Sequence, residues 1–286
     1  MKHYLYALGA ILCWASLPAA TGSGLEGFSP DELLFYSFTA AAVYLYVQNV
    51  ILTKSFALYL PPLPISLLGV WGIFLYHYCY YTALSYIPLA EGGILATTWS
   101  FWIVFFSSIL FFRKLKFSIV LLAIVGMFGA ALVIASGKEI SFSTNHTFGY
   151  ILALACGLIW SSFSVTLSRF PTKKQTMTTF TIYAALISAI LFAIQSPHEP
   201  PKTSAFLCAI YLGVIPLGFS FYCWNQAING GNMIVIGFLC YFTPPLAVLM
   251  VSLIHGEKIS GQVIVGMLLI IAASIGGKII LDRVRQ

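Results

Sequence analysis

The chain has 286 residues, of which 60% are apolar and only 8% are charged, and its mean hydropathy is +0.94. These values exclude a soluble globular domain, whose composition is far more polar. A membrane-spanning helix takes roughly 20 residues, so about ten spans with short connections use up the whole length. We therefore expect the function to reside within the helices themselves.

The net charge of +6 does not indicate nucleic acid as a partner, because the basic residues are spread over many connections and are not interleaved with aromatic residues on one polar face. Six cysteines occur singly in apolar runs, without a C-x-x-C pair or a histidine at metal-ligand spacing. We interpret them as small packing residues. No metal site and no cofactor is expected.

Apolar runs separated by turn-forming residues predict the spanning helices. Their expected ranges are 4–22, 32–52, 66–86, 90–111, 117–136, 148–168, 176–195, 204–227, 232–254 and 260–281. The first run could also be read as a signal peptide with a small-residue cleavage site. We favour a first span, since equally apolar runs follow. The predicted fold is an all-α polytopic membrane protein with ten transmembrane helices.

The basic residues predict the orientation of these helices. If the N-terminus is cytoplasmic, 11 of the 14 Lys and Arg residues fall on the cytoplasmic side, namely Lys2, Lys54, Arg113, Lys114, Lys116, Arg169, Lys173, Lys174, Lys278, Arg283 and Arg285. The other side has Lys138, Lys202 and Lys258. This asymmetry follows the positive-inside rule and predicts that both termini are cytoplasmic.

The two halves of the chain resemble each other. The segment 80–83 parallels 224–227 at an offset of 144 residues, and Trp14 corresponds to Trp160 at an offset of 146. Five helices is an odd number, so the second copy enters the membrane upside down, as in transporters built from inverted repeats. We divide the chain into a first five-helix repeat, 1–137, and a second, inverted repeat, 148–286, with the substrate between them near the midplane.

Aromatic and polar side chains near mid-membrane are the candidate substrate-binding residues. They are His77, Tyr78 and Tyr81 in the third span, Trp99 in the fourth, Trp160 in the sixth, Asn225 in the eighth and Tyr241 in the ninth. Most of the other aromatic residues are expected in core packing or interfacial belts. For His77 two roles are possible from the sequence: contact with the substrate, or a hydrogen bond to a neighbouring helix.

Glu91, at the start of the fourth span, is the one acidic residue placed against an apolar run. Its negative charge could stabilise the N-terminus of that helix through the helix dipole, or its side chain could contact the substrate. No other acidic residue enters a span, which argues against carboxylate-bound sodium and buried proton relays. This favours passive alternating access, with titration of His77 left open.

Four prolines are expected to interrupt helices. They are Pro18, Pro216, Pro244 and Pro245. We interpret Pro244 and Pro245 as a gating kink, with a static bend as the alternative.

The eighth and ninth spans contain Leu217-Gly218-Phe219, Trp224-Asn225, Gly231-Asn232 and Tyr241-Phe242-Thr243-Pro244, and the ninth closes on Gly256-Glu257-Lys258. In these motifs the chain resembles the drug/metabolite transporter (DMT/EamA) superfamily, in its branch of bacterial aromatic amino acid exporters. The resemblance implies a basket of helices around a central cavity, with His77, Trp99 and Trp160 matching cavity positions. The chain departs from the family at Arg113-Lys114 and at Thr97, Thr98 and Ser100.

We expect a multi-pass transporter of the bacterial inner membrane, a monomer or weak dimer, that exports amino acids, preferably aromatic ones, by alternating access. The alternative is an exporter of another small metabolite or drug, such as a nucleobase or a flat organic cation. An intramembrane enzyme would need a nucleophile and a base, and the sequence offers only Ser220 and His77. We expect neither an enzyme nor a channel, since no charged ring or filter loop is present.

Overall fold

The computed structural model describes residues 1–112, 116–195, 202–255 and 259–285. Within these ranges the chain is helical without strands, and ten helices are long and apolar enough to cross a bilayer. The spans, numbered in chain order, are Lys2–Leu25, Pro30–Thr53, Leu63–Tyr86, Leu89–Phe111, Phe117–Ala135, Thr144–Leu167, Thr176–Ile194, Thr203–Ile228, Met233–Met250 and Gly261–Arg283. The protein is an all-α polytopic membrane protein, as predicted. The motifs at 113–114 and 256–258 lie outside the described residues.

Five of the spans are not regular α-helices. Three spans are broken into two helices: span 1 into Lys2–Trp14 and Leu17–Leu25, span 4 into Leu89–Ala96 and Trp99–Phe112, and span 9 into Met233–Cys240 and Thr243–His255. Two spans contain a π-helical turn between two α-helices. Span 3 consists of Leu63–Gly69, the π-helical Val70–Leu75 and Tyr76–Tyr86, and span 8 consists of Thr203–Val214, the π-helical Ile215–Phe219 and Ser220–Ile228. The others are Pro30–Thr53, Phe117–Ala135, Thr147–Leu167 after a 3₁₀ turn at Thr144–His146, Thr176–Gln195 and Gly261–Arg285.

Proline explains three of these interruptions. A proline has no backbone N–H, and its ring clashes with the carbonyl one turn earlier. Pro18 lies in the first turn after the break in span 1, Pro216 lies in the π-helical turn of span 8, and Pro244 and Pro245 follow the break in span 9. The prediction that these four residues interrupt helices is confirmed.

The interruptions of spans 3 and 4 contain no proline and were not predicted. They lie at places that match those of spans 8 and 9, since Val70 corresponds to Ile215 and Ala96 to Cys240. At the breaks of spans 4 and 9, a threonine hydroxyl donates to a carbonyl three residues earlier: Thr98 to Leu95 at 2.7 Å and Thr243 to Cys240 at 2.8 Å. These bonds satisfy carbonyls in a region without water.

The packing partners of the spans also occur in matching pairs. Span 1 packs on span 8 as span 3 packs on span 6, while spans 2 and 7, 4 and 9, and 5 and 10 pack directly on each other. Spans 5 and 10 approach closely through two glycines: a Cβ on Gly129 would lie 2.7 Å from the carbonyl oxygen of Gly266, and a Cβ on Gly266 would lie 2.6 Å from that of Gly129. Small residues at such crossings allow backbones to meet.

Replacing Gly129 with alanine should therefore destabilise the protein by about 1 to 3 kcal/mol, the usual cost of overpacking. The added methyl group meets backbone, which cannot rotate away. The measurement is the thermal unfolding midpoint of purified protein in detergent. Gly261→Ala is the matched control because no atom lies within 4 Å of its added Cβ. Equal midpoints for the two variants would contradict the close crossing.

Candidate functional site

Four tryptophans meet at the centre of the bundle. Trp14 ends the first helix of span 1, Trp99 begins the second helix of span 4, and Trp160 and Trp224 lie on spans 6 and 8. All six pairs of rings have centroids between 5.1 and 6.5 Å apart, and most are edge to face or steeply tilted. This is the favoured geometry for aromatic contact. We call these residues the tryptophan cluster.

Glycine allows span 4 to reach this cluster. A Cβ on Gly157, three residues before Trp160, would lie 2.4 Å from Thr98 Oγ1 and 3.3 Å from the backbone nitrogen of Trp99. Any larger residue at this position would push the break of span 4 away from span 6. The close approach places Trp99 and Trp160 side by side.

The indole N–H groups of the cluster divide into two kinds. Trp14 Nε1 donates to the carbonyl of Pro216 at 3.0 Å, and Trp224 Nε1 donates to Ser164 Oγ at 3.1 Å. The indole N–H groups of Trp99 and Trp160 have no protein acceptor among the described residues, and both side chains line a cavity. Two indoles are thus fixed by the scaffold, while two can donate to a ligand.

The cavity beside the cluster has space of about 60 Å³ for the centres of water molecules, enough for several waters. Its lining is mostly aromatic, with some small and polar residues: Trp14, Leu17, Pro18, Tyr76, His77, Tyr80, Gly93, Ala96, Thr97, Trp99, Trp160, Phe221 and Thr243. Three candidates from the sequence, His77, Trp99 and Trp160, are therefore brought together at one cavity. Their role in binding stays a prediction.

His77 is buried with its ring edge-on to Phe38, Tyr76 and Phe221. Its Nδ1 lies 2.8 Å from the carbonyl oxygen of Ile73, within the π-helical turn of span 3. A bond to a carbonyl requires the proton on Nδ1, so in the neutral ring Nε2 is an acceptor. The cavity lining therefore includes one ring nitrogen that can accept and two indole groups without a protein acceptor among the described residues.

The other candidate binding residues lie outside the cavity lining. Tyr78 is partly exposed and stacks on Phe74, and Tyr81 is buried beside His77. Tyr241 belongs to a separate core, where its hydroxyl donates to the carbonyl of Ala123 at 2.7 Å. These contacts describe packing, and substrate binding by Tyr78, Tyr81 and Tyr241 stays a prediction.

Asn225 belongs to a set of polar contacts at the face that carries both chain termini. Its Nδ2 donates to the carbonyl of Lys173 at 2.9 Å, and Thr172 Oγ1 donates to its Oδ1 at 3.1 Å. Nearby, His3 Nδ1 lies 2.7 Å from the carbonyl oxygen of Gln226. Spans 1 and 8 and the connection between spans 6 and 7 are thereby joined. We call this set of residues the terminal latch.

The cavity extends from the tryptophan cluster away from the terminal latch. Span 1 runs away from the terminus face, so Leu17 and Pro18 lie beyond Trp14. Span 4 runs in the opposite direction, so Gly93 and Thr97, which precede Trp99, lie on that same side. The described conformation therefore has its space on the face opposite the termini.

Sequence reasoning missed several lining residues. Among them are Trp14, Tyr76, Tyr80 and Phe221. For Trp14 a signal was present, since it corresponds to Trp160 in the second half. Tyr76 and Tyr80 lie one turn apart, directly after the π-helical turn of span 3, which no proline marks in the sequence.

Glu91 has a structural role in the described conformation. It is 1% exposed, its Oε2 accepts from the hydroxyl of Tyr150 at 2.6 Å, and its Oε1 accepts from the backbone N–H of Ser141 at 2.9 Å. It also lies in the first turn of the helix Leu89–Ala96, where a negative charge is favourable. It therefore connects span 4 to span 6 and does not line the cavity.

Chemistry other than binding finds little support at the site. Ser220 is buried and its hydroxyl donates to the carbonyl of Pro216. Among the described residues no group of three or more His, Cys, Asp or Glu side chains could hold a metal ion. The arrangement offers aromatic surfaces and a few hydrogen-bonding groups.

Ten spans around a small aromatic cavity define a membrane protein with an internal small-molecule site, the form taken by secondary transporters. The sequence model of the EamA-like transporter family matches residues 1–135 and 147–276, and the chain belongs to this family. The superfamily expected from the sequence motifs is thus confirmed.

Individual relatives agree with this membership. The chain is 30% identical over 273 residues to the aromatic amino acid exporter YddG of Ancylobacter novellus, covering 94% of each protein. It is 21% identical over 286 residues to the protein of the same name from Escherichia coli K12, covering 96% of each. A solved crystal structure with 28% identity superposes with a TM-score of 0.86 and covers 98% of both chains.

Removing the Glu91 carboxylate should destabilise the protein by about 1.5 to 3 kcal/mol, as for hydrogen bonds to a charged group. Glu91→Ala leaves the N–H of Ser141 and the hydroxyl of Tyr150 without their acceptor. The thermal unfolding midpoint measures this loss of stability. Glu139→Ala is the control, because Glu139 is an exposed acidic residue in the connection between spans 5 and 6, which also contains Ser141. An unchanged midpoint for Glu91→Ala would contradict the structural role.

Proposed function

We propose that the protein exports amino acids, preferably aromatic ones, across the bacterial inner membrane by alternating access, with both termini in the cytoplasm. Family membership supports a transporter, and two relatives that match almost the whole chain are named aromatic amino acid exporters. The distribution of basic residues, 11 on the terminus side against Lys138, Lys202 and Lys258, supports the orientation. We therefore propose transport, and not catalysis, as its activity.

The observation that carries the proposed substrate is the tryptophan cluster. An aromatic ring pair contributes about 0.5 to 1.5 kcal/mol beyond its buried area. When Trp99 and Trp160 separate, they lose ring contacts that an aromatic side chain between them restores, whereas an aliphatic side chain does not restore the ring-to-ring geometry. The cluster therefore selects rings.

Polar groups at the same cavity suit the rest of an amino acid. The free indole N–H groups can donate to a carboxylate, and His77 Nε2 can accept from an ammonium group. Asn225 is proposed to act from the terminal latch, where it meets cargo only after the latch opens. These roles, with those of Tyr78, Tyr81 and Tyr241, complete the proposed site.

The mechanism we propose rests on two inverted repeats, 1–137 and 148–286. Equivalent residues of two inverted copies touch only near the axis that relates them, and Trp14 lies 5.3 Å from Trp160. The matching interruptions of spans 3 and 8, and of spans 4 and 9, support the same relation. The axis then passes through the tryptophan cluster.

Alternating access would exchange the closed and open ends of this arrangement. In this proposal the terminal latch is the closed end, and the cavity extends toward the other face. We propose that span 9 moves at the break before Pro244 and Pro245, which acts as the gate. No buried acidic residue among the described spans other than the bonded Glu91 offers a coupling site, so transport follows the substrate gradient.

A second candidate is export of a different small metabolite or drug on the same fold. The chain is 30% identical over 86 residues, 30% of its length, to a protein of Pseudomonas aeruginosa named pseudopaline exporter. In addition, Thr97, Thr98 and Ser100 beside Trp99 depart from the superfamily pattern expected at the cavity. Unlabelled nucleobases and flat cations as competitors separate the two candidates.

Counterflow of labelled tryptophan or phenylalanine into proteoliposomes tests the proposal. We expect uptake well above empty liposomes and an at least roughly fivefold loss below saturation for Trp160→Ala, equivalent to about 1 kcal/mol of aromatic contact. Trp71→Ala is the matched control, since Trp71 is 44% exposed on the outside of span 3. No uptake would refute the substrate, and equal rates for both variants would refute the site.

A further inference from the structure

A second cavity lies at the terminus face, apart from the tryptophan cluster. It is formed by the end of span 2, the connection before span 7, the start of span 7, and span 8, and it has space of about 80 Å³ for the centres of water molecules. Its polar lining residues are Gln48, Asn49, Thr53, Lys174, Thr178 and Tyr222. None of them lines the central cavity.

The buried amide of Asn49 shows that this cavity is not simply closed packing. Asn49 is only 5% exposed, yet its Nδ2 has no hydrogen-bond partner among the described residues. A buried amide donor without a partner costs about 1 to 3 kcal/mol. Such a group in a cavity wall indicates a ligand or ordered water that accepts its hydrogen bond.

The other groups identify the charge of the ligand. Lys174, which carries an ammonium group, lines the cavity together with Thr178 and Tyr222, whose hydroxyls are possible donors, whereas no carboxylate of the described residues lines it. Gln48 is engaged with the hydroxyl of Tyr44 at 3.5 Å, and Thr53 donates to the carbonyl of Asn49 at 2.8 Å. A cation with several neutral donors is the environment of an oxyanion.

The charge of the surrounding face also favours an anionic ligand. Eleven of the 14 basic residues lie on the terminus side, while of the eight acidic residues only Asp282 falls there by its position in the chain. Leu52, which also lines the cavity, is 54% exposed on the outer surface of span 2, so the cavity adjoins the lipid. Basic pockets between spanning helices at such a face bind anionic headgroups.

We propose that this second cavity is a binding site for a phosphate group, held by Asn49 and Lys174. The phosphate belongs either to the headgroup of an anionic lipid or to a free anion from solution. The site shares no lining residue with the substrate cavity, and the proposal does not rest on the exporter function.

The test uses the full-length protein purified in a neutral detergent, with the thermal unfolding midpoint followed during four titrations. The probes are dioleoylphosphatidylglycerol, with dioleoylphosphatidylcholine as its uncharged-headgroup reference, and inorganic phosphate, with chloride at equal ionic strength as its reference. We expect the phosphatidylglycerol or phosphate titration to raise the midpoint above its reference. A response to the lipid alone identifies a headgroup, and a response to inorganic phosphate identifies a free oxyanion.

Variants then assign the response to the cavity. Lys174→Gln should bind the effective probe about tenfold more weakly, the effect of losing a charged hydrogen bond, while Lys174→Arg keeps the response. Asn49→Leu should lose the response and also raise the midpoint without any probe, because the unpaired donor is gone. Lys278→Gln removes an exposed charge near the end of span 10 and should respond as the wild type does.

Two results would overturn the site. One is a midpoint that rises no more with phosphatidylglycerol or phosphate than with the reference compounds. The other is an equal loss of response in Lys174→Gln and Lys278→Gln, which would assign the effect to the general charge of this face. Lys174 is exposed, so this comparison does not depend on whether Asn49→Leu folds.

Discussion

The contact among Trp14, Trp99, Trp160 and Trp224 is the interaction on which the rest of the structure depends. In a bilayer, helices gain no hydrophobic energy from packing on each other, so close contact and hydrogen bonds must hold the bundle together. The four rings supply that contact at the centre, and the indole N–H groups of Trp14 and Trp224 tie it to backbone and to Ser164. Helix interruptions are tolerated around the cluster because the groups they free find partners there.

The same arrangement explains how one site can be stable without a ligand and still bind one. Two of the indoles are fixed through hydrogen bonds, while Trp99 and Trp160 are held by ring contacts alone among the described residues. Ring contacts can be exchanged for contacts to a ligand without leaving a polar atom unpaired in the membrane. Glu91 and the terminal latch hold the two ends of the bundle by hydrogen bonds far from this exchange.

The sequence was sufficient to predict the spans and three of the lining residues, and insufficient for the shape of the site. Apolar length alone determines a spanning helix, which is why all ten were predicted. Pro18 and Pro216 mark interruptions because proline cannot donate a backbone hydrogen bond. The break beside Trp99 depends on Thr98 and on close approach to Gly157, a contact between distant parts of the chain that no local pattern reveals.

The most direct measurement is a structure of the protein determined with bound L-phenylalanine. If the tryptophan cluster is the substrate site, the phenyl ring lies between Trp99 and Trp160, and their centroids separate beyond the present 6.5 Å. A phenyl ring bound elsewhere, with all four indoles still in mutual contact, would contradict it.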